Sequence, residues 1–144
     1  MTLGEQYRAL ARRLFADLDD TAIDEMFAPD YQGEYGGKSV VGRDAFRASV
    51  VALRSALAPV HYVVHHTAEG DGLLWAHWTA SGVHTGPLFE LAPTQRAVSI
   101  TGLTLNRFVD GKIVWGLVKW DRMALLDQLR APPNPEKRRR RATM

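Results

Sequence analysis

The chain has no cysteine, which excludes disulfides, cysteine-ligated metal centres and thiol nucleophiles. It has no apolar run of bilayer-spanning length, and its N-terminal stretch is polar with helical periodicity rather than signal-like, so a soluble cytoplasmic protein is expected. It also lacks a strong charge of either sign, with a net of +2 over 144 residues. Even that excess is local. Residues 131–144 hold five basic side chains, Lys137 to Arg141, against the single acidic Glu136, a net of +4 that leaves residues 1–130 at −2. A mildly acidic body gives no reason to expect nucleic-acid binding. The Pro-punctuated segment 131–144 has almost no apolar content and reads as a disordered basic tail. Residues 1–130 read as one domain, long enough to bury a core.

What the sequence does have is helical periodicity first and strand periodicity afterwards. Thr2 with Glu5 three residues later forms a capping-box pattern, and Leu3, Tyr7, Leu10, Leu14 and Leu18 make one apolar stripe, which predicts a helix over 2–18. Asp19 and Asp20 offer caps for a short helix over 22–27, closed by Pro29. The glycine-rich run 30–38 reads as irregular. A third helix runs from about Arg43 to Ala58 on Phe46, Val50, Leu53 and Leu57, and Pro59 stops it. Strands follow over 60–68, 73–85, 96–108 and 112–120, with a loop over 86–95. A last helix over 122–130 places Met123, Leu126 and Leu129 inward. Helices followed by an antiparallel sheet is an α+β order.

Asp110-Gly111 between two apolar-rich runs is a strong hairpin signal, because both positions must accept positive φ. A two-residue loop predicts that Val109 pairs with Lys112, Phe108 with Ile113, Arg107 with Val114, Asn106 with Trp115 and Thr104 with Leu117. With side chains alternating, one face then carries Ile100, Thr104, Asn106 and Phe108 beside Ile113, Trp115, Leu117, Lys119 and Asp121. Neither face is plainly polar, so both are expected to be covered.

Several residues on that face bear chemistry. Asp121 ends a row of apolar side chains just before a helix, so it is either an N-cap or a carboxylate whose pKa is raised by an apolar pocket and which can shuttle a proton. Trp115, Leu117, Ile100 and Phe108 make either core packing or a flat wall for an aromatic ligand. Asn106 and Thr104 need hydrogen-bond partners if buried: a substrate carbonyl, a water or a main-chain group. Tyr7, Tyr31, Tyr35 and Glu34 are candidates for a pocket mouth. The histidines match no metal-site spacing, with His61 and His65 on one strand face and His66 on the other, so no metal is expected.

Taken together, Leu18 to Tyr31, Glu69-Gly70-Asp71, Trp78 to Gly86, Pro93-Thr94, Arg107 to Val114, and Trp120-Asp121 followed by Leu125 to Leu129 resemble the SnoaL-like polyketide cyclase family of the NTF2-like superfamily. The resemblance implies a cone-shaped α+β fold, a curved antiparallel sheet packed on N-terminal helices around a deep apolar pocket. It implies a homodimer formed through the outer sheet face, and cofactor-free intramolecular aldol ring closure of a polycyclic aromatic, anthracycline-type polyketide. The family's acid/base aspartate falls on Asp121, with Asn106 placed to orient a carbonyl, and His84 matches a position beside the pocket rim. The sequence departs from the family where members often keep Glu and Trp in the last strand, here Trp115 and Leu117. It also has Gly33-Glu34 where a histidine is common, and His77 where an arginine is. A hydroxylase-like tailoring protein of the same fold and a non-catalytic binding module are the alternative readings.

Overall fold

The computed structural model describes residues 1–130; the segment 131–144 lies outside the described residues. Four helices and one six-stranded sheet are formed, in the chain order α1 (Leu3–Phe15), α2 (Thr21–Met26), β1 (Phe27–Tyr35), β2 (Lys38–Val41), α3 (Arg43–Ala56), β3 (Leu57–Gly70), β4 (Leu73–His84), β5 (Ala97–Val109), β6 (Lys112–Trp120) and α4 (Arg122–Arg130). The sheet is uncyclised and runs β2-β1-β6-β5-β4-β3. Neighbours are antiparallel except β1 and β6, which pair in parallel. The α+β class expected from the sequence is the one observed, with this parallel pair making the sheet mixed.

The capping box at Thr2 and Glu5 is present, and α1 buries Tyr7, Leu10, Ala11 and Leu14. The helix ends before Leu18, which takes a positive φ and is exposed. The run 30–38 is not irregular: it contains most of β1 and the turn into β2. Its glycines hid the alternation, because Gly33 sits on the buried face where a strand pattern would show an apolar side chain. In α4 the buried residue is Leu125, whereas Met123 is exposed. The helix is thus rotated from the expected stripe.

Two apolar clusters lie between helices and sheet. One gathers Leu10, Leu14, Ile23, Phe27, Val50, Leu74 and Ile113, and the other Leu57, Trp78, Ala80, Leu88, Val98, Ile100 and Leu125. Arginine carboxylate pairs lock the helices to one another: Arg13 bonds Asp19 and Glu25, Arg47 bonds Asp24, and Arg54 grips Asp20.

The hairpin turn is as the sequence implies, with Asp110 and Gly111 both at positive φ and with the pairs Val109–Lys112 and Phe108–Ile113. Beyond them the register shifts. Arg107 pairs with Trp115, Asn106 with Gly116, Leu105 with Leu117, Thr104 with Val118 and Gly102 with Trp120. Val114 is therefore a bulged residue, and a one-residue slip sends every later side chain of β6 to the other face. The inner face carries Gly116, Val118 and Trp120 in place of the expected Trp115, Leu117 and Lys119. A second bulge between Val64 and His66 puts His65, His66 and His77 side by side, with ring centroids 5.0 to 6.5 Å apart, which corrects the expectation that His66 points away from His65.

The Asp20–Arg54 pair makes a pH-dependent contribution. Its two bonds are 2.7 and 2.9 Å long, and the Arg54 guanidinium holds the Asp20 carboxyl below its ordinary value. The stabilisation is complete above the unfolded-state value near ~3.9 and is lost as pH falls through the lower folded value. Asp20→Asn is expected to lower stability by about 1 kcal/mol at neutral pH. The gap to the parent should begin to narrow in thermal melts as pH falls below about 4 and close only once the pH is below the lower folded value.

Candidate functional site

A cavity of about 610 Å³ lies between α1, α3 and the inner face of the sheet. Its walls are mainly apolar and aromatic, with Leu10, Leu14, Phe27, Phe46, Trp78 and Ile100 among them, which is the usual make-up of a small-molecule site. Its deep polar groups are neutral. Tyr7, Tyr31, Tyr35, Tyr62, Thr104 and Asn106 all line it, and no carboxylate is buried with them among the described residues.

The hydroxyls are paired. Tyr31 and Tyr35 share a hydrogen bond of 2.6 Å, and Tyr7 and Tyr62 one of 2.7 Å. The Trp78 indole donates to the Thr104 hydroxyl at 2.8 Å. An indole N–H can only donate, so this bond leaves the Thr104 proton free to be directed elsewhere. Burial pushes Tyr31 up to about 12. Burial also raises Tyr35 and Tyr62, and it raises Tyr7, where the neighbouring Tyr62 and Thr104 hydroxyls pull the other way. These tyrosines are neutral hydrogen-bond donors at ordinary pH, not phenolate bases.

Asn106 differs from the rest. It is 4% exposed, lines the cavity, and has no side-chain hydrogen-bond partner among the described residues. Its place is set by Gly116, its pairing partner on β6. A Cβ at Gly116 would stand 2.3 Å from the Tyr31 hydroxyl and 2.8 Å from Asn106 Oδ1. The missing side chain is what lets both polar groups reach the same corner of the cavity.

Of the residues singled out from sequence, Ile100, Thr104, Asn106 and Tyr35 line the cavity, as do Tyr7 and Tyr31. Tyr7 and Tyr31 are buried rather than at a mouth. The others stand elsewhere. Phe108 is packed in the core cluster under α1 and α2. Trp115 and Leu117 follow the bulge to the outer face. Glu34, paired with Leu117 in the sheet, is exposed and lies 3.8 Å from Lys119. His84 is fully buried, with Nδ1 3.0 Å from the Thr94 hydroxyl, and does not line the cavity. Asp121 is exposed, and its Oδ1 accepts the Ala124 backbone N–H at 2.9 Å, an N-cap of α4. The expectation that Asp121 shares a pocket face with Asn106 is corrected by the Val114 bulge. Tyr62, Trp78, Phe89, Val118 and Trp120 were missed; for the last two, a shift of one position on β6 would have found them. Among the described residues no group of three or more His, Asp or Glu side chains is placed to hold a metal, and no helix is long and apolar enough to cross a membrane.

The fold recurs in solved structures. A SnoaL-like polyketide cyclase from Agrobacterium tumefaciens C58 superposes with a TM-score of 0.77 at 17% identity, covering 90% of this chain and 98% of that one. IdmH from Streptomyces antibioticus, a proposed polyketide cyclase, gives 0.75 at 21% identity over 89% and 99%. AclR from Streptomyces galilaeus, a proposed hydroxylase, gives 0.72 at 22% identity over 99% and 91%. No curated protein sequence matches the chain. Residues 5–129 match the family described as SnoaL-like polyketide cyclase, nearly the whole of the described fold, and the chain belongs to that family.

Proposed function

We propose that the protein is a cofactor-free tailoring enzyme of aromatic polyketide biosynthesis, which holds a polycyclic, carbonyl-rich substrate in the cavity and closes a ring by intramolecular aldol addition. The observation that carries this reading is the Asn106 amide. The amide has no side-chain partner among the described residues and is open to an apolar space of ligand size. A substrate carbonyl oxygen can accept from Asn106 Nδ2, while Oδ1, the amide atom near the Tyr31 hydroxyl at the Gly116 corner, is available to accept from a substrate hydroxyl.

In the aldol step a C–H bond next to a carbonyl breaks. Its electron pair forms a new C–C bond to a second carbonyl carbon, and the oxygen released from that double bond takes up a proton. Atoms balance without a co-substrate. Donors aimed at the oxygen that gains charge lower the barrier, most effectively where water is excluded. Holding both reacting carbons in one apolar slot supplies the proximity. Asp121 is assigned to the helix cap and the tyrosines are neutral, so the hydroxyl pairs are assigned donation to the oxygen that gains charge, and the C–H proton is assigned to pass through a water to the new alkoxide. The family's pairing through the outer sheet face is supported by the exposed Val63, Trp75 and Leu103 there.

A second reading, ligand binding without turnover, is favoured by the absence of a buried carboxylate base among the described residues. Product mass separates the possibilities: ring closure leaves the mass unchanged unless water is lost, a hydroxylation adds an oxygen atom, and binding alone gives no product.

Three variants test the site. A hydroxyanthraquinone can be titrated against the fluorescence of Trp78 and Trp120. Asn106→Leu is expected to weaken its binding about tenfold, the equivalent of one hydrogen bond, while stability is preserved, since no protein hydrogen bond is lost. Unchanged affinity would sink the role of Asn106. Asp121→Ala should lose about 1 kcal/mol of stability as a cap deletion and keep full activity and affinity; abolished turnover with binding intact would restore the carboxylate to the mechanism. Gly116→Ala should destabilise by roughly 1–3 kcal/mol through overpacking and impair ligand binding, read by denaturant melts and the same titration.

A further inference from the structure

The polar groups deep in the cavity are neutral, but its opening is not. Lys38, at the start of β2, Glu90, in the loop between β4 and β5, and Arg122, at the start of α4, line the cavity and are exposed. Among the described residues these are its only formally charged lining residues, and two of the three are cationic. None of them is in a salt bridge among the described residues, since the pairs formed there involve other side chains. An aromatic stack lines the cavity with the two cations. The Trp120 ring lies against the turn at Gly36, where an added Cβ would come within 2.4 Å of it. Phe89 stacks on Trp120 with centroids 4.9 Å apart and planes 6° from parallel. The Arg122 guanidinium sits 6.0 Å above the Phe89 ring, a cation–π distance. Trp120 thus touches both the Gly36 turn and Phe89, Arg122 lies over the Phe89 ring, and Lys38 follows Gly36 by two residues.

We infer that the ligand carries an acidic group, a carboxylate or an acidic phenol, which stays at this opening between Lys38 and Arg122 while its flat apolar body passes the Trp120–Phe89 stack toward Asn106. This inference rests on the cavity being a ligand site and deepens it by naming the chemistry of the ligand's outer end. An anion there gains from two cations that have no competing carboxylate partner among the described residues. A neutral ligand leaves them as they are, and a cationic one is repelled. Glu90 opposes the anion, so the preference is set by a surplus of one positive charge. Buried Asn106, unpartnered and facing the far end of the same space, supplies the recognition of the inner, uncharged end.

The test uses two fluorescent probes that share a skeleton and differ by one sulfonate: 8-anilino-1-naphthalenesulfonate, which is anionic, and N-phenyl-1-naphthylamine, which is neutral. At low ionic strength the full chain should bind the anionic probe more tightly. Lys38→Ala with Arg122→Ala should weaken that binding about five- to tenfold, as expected for two solvent-exposed charge interactions, and change binding of the neutral probe less than about twofold. Lys38→Ala alone leaves the aromatic stack untouched and should show part of the same selective loss. Glu90→Gln should tighten the anionic probe only, and added salt should weaken it only. Equal affinity for the two probes in the parent, or equal losses in the double variant, would overturn the acidic-end inference and leave the cavity reading standing. Failure of both probes to bind the parent would overturn the cavity reading and the inference with it.

Discussion

Between Phe108 and Arg107 the β5–β6 ladder takes up one extra residue, Val114, on the β6 side. Because strand side chains alternate with period two, that residue decides the facing of everything after it. Gly116 comes to the inner face, and with it the space into which Tyr31 and Asn106 project. Val118 and Trp120 follow as wall and opening. Leu117 and Lys119 go to the outer face, where Lys119 meets Glu34. Asp121 ends beside the first turn of α4, its carboxylate engaged with the Ala124 N–H rather than with the cavity. Without the bulge the cavity would have an indole where it now has a glycine, and a carboxylate could stand at its edge.

The chemistry available inside follows from that arrangement. A cavity lined by apolar rings penalises any charge it encloses, and the groups it does hold are ones that lose little by burial when paired: tyrosine hydroxyls in twos, an indole N–H on a threonine oxygen. Each hydroxyl or indole has one partner, whereas the Asn106 amide has none among the described residues. Such a cavity offers hydrogen bonds fixed in position rather than charge.

Much of the fold was legible because it is written in local signals. Thr2 and Glu5 cap α1, the three- and four-residue apolar steps mark α1 and α3, and Asp110-Gly111 can hardly be anything but a tight turn. The inner-facing set of β5, from Ile100 through Thr104 to Asn106, could also be read, since its alternation is unbroken. The facing of β6 could not. A bulge adds no distinctive residue, and Val114 looks like any strand valine; it is selected by how the sheet curves against the helices, which is a tertiary effect. The strand at Tyr31 to Tyr35 was obscured for a related reason, since Gly33 occupies an inward position where packing needs no side chain. The three neighbouring histidines on β3 and β4 were separated in sequence reading by the same assumption of regular pleating, which the bulge at His65 breaks.

The parallel pairing of β1 with β6 joins Gly33 to Gly116 and Glu34 to Leu117, so the first strand made is the one that must wait for the last. On a ribosome, β1 and β2 emerge as an isolated ribbon, and an isolated hairpin is marginal in water. Their place in the sheet exists only once β5 and β6 have closed, some eighty residues later in the chain, and contacts of such sequence separation are slow to form because a long loop must first be ordered. The corner that holds Tyr31 beside Asn106 therefore depends on strands far apart in the chain, and it is complete only once β6 has paired with both β1 and β5.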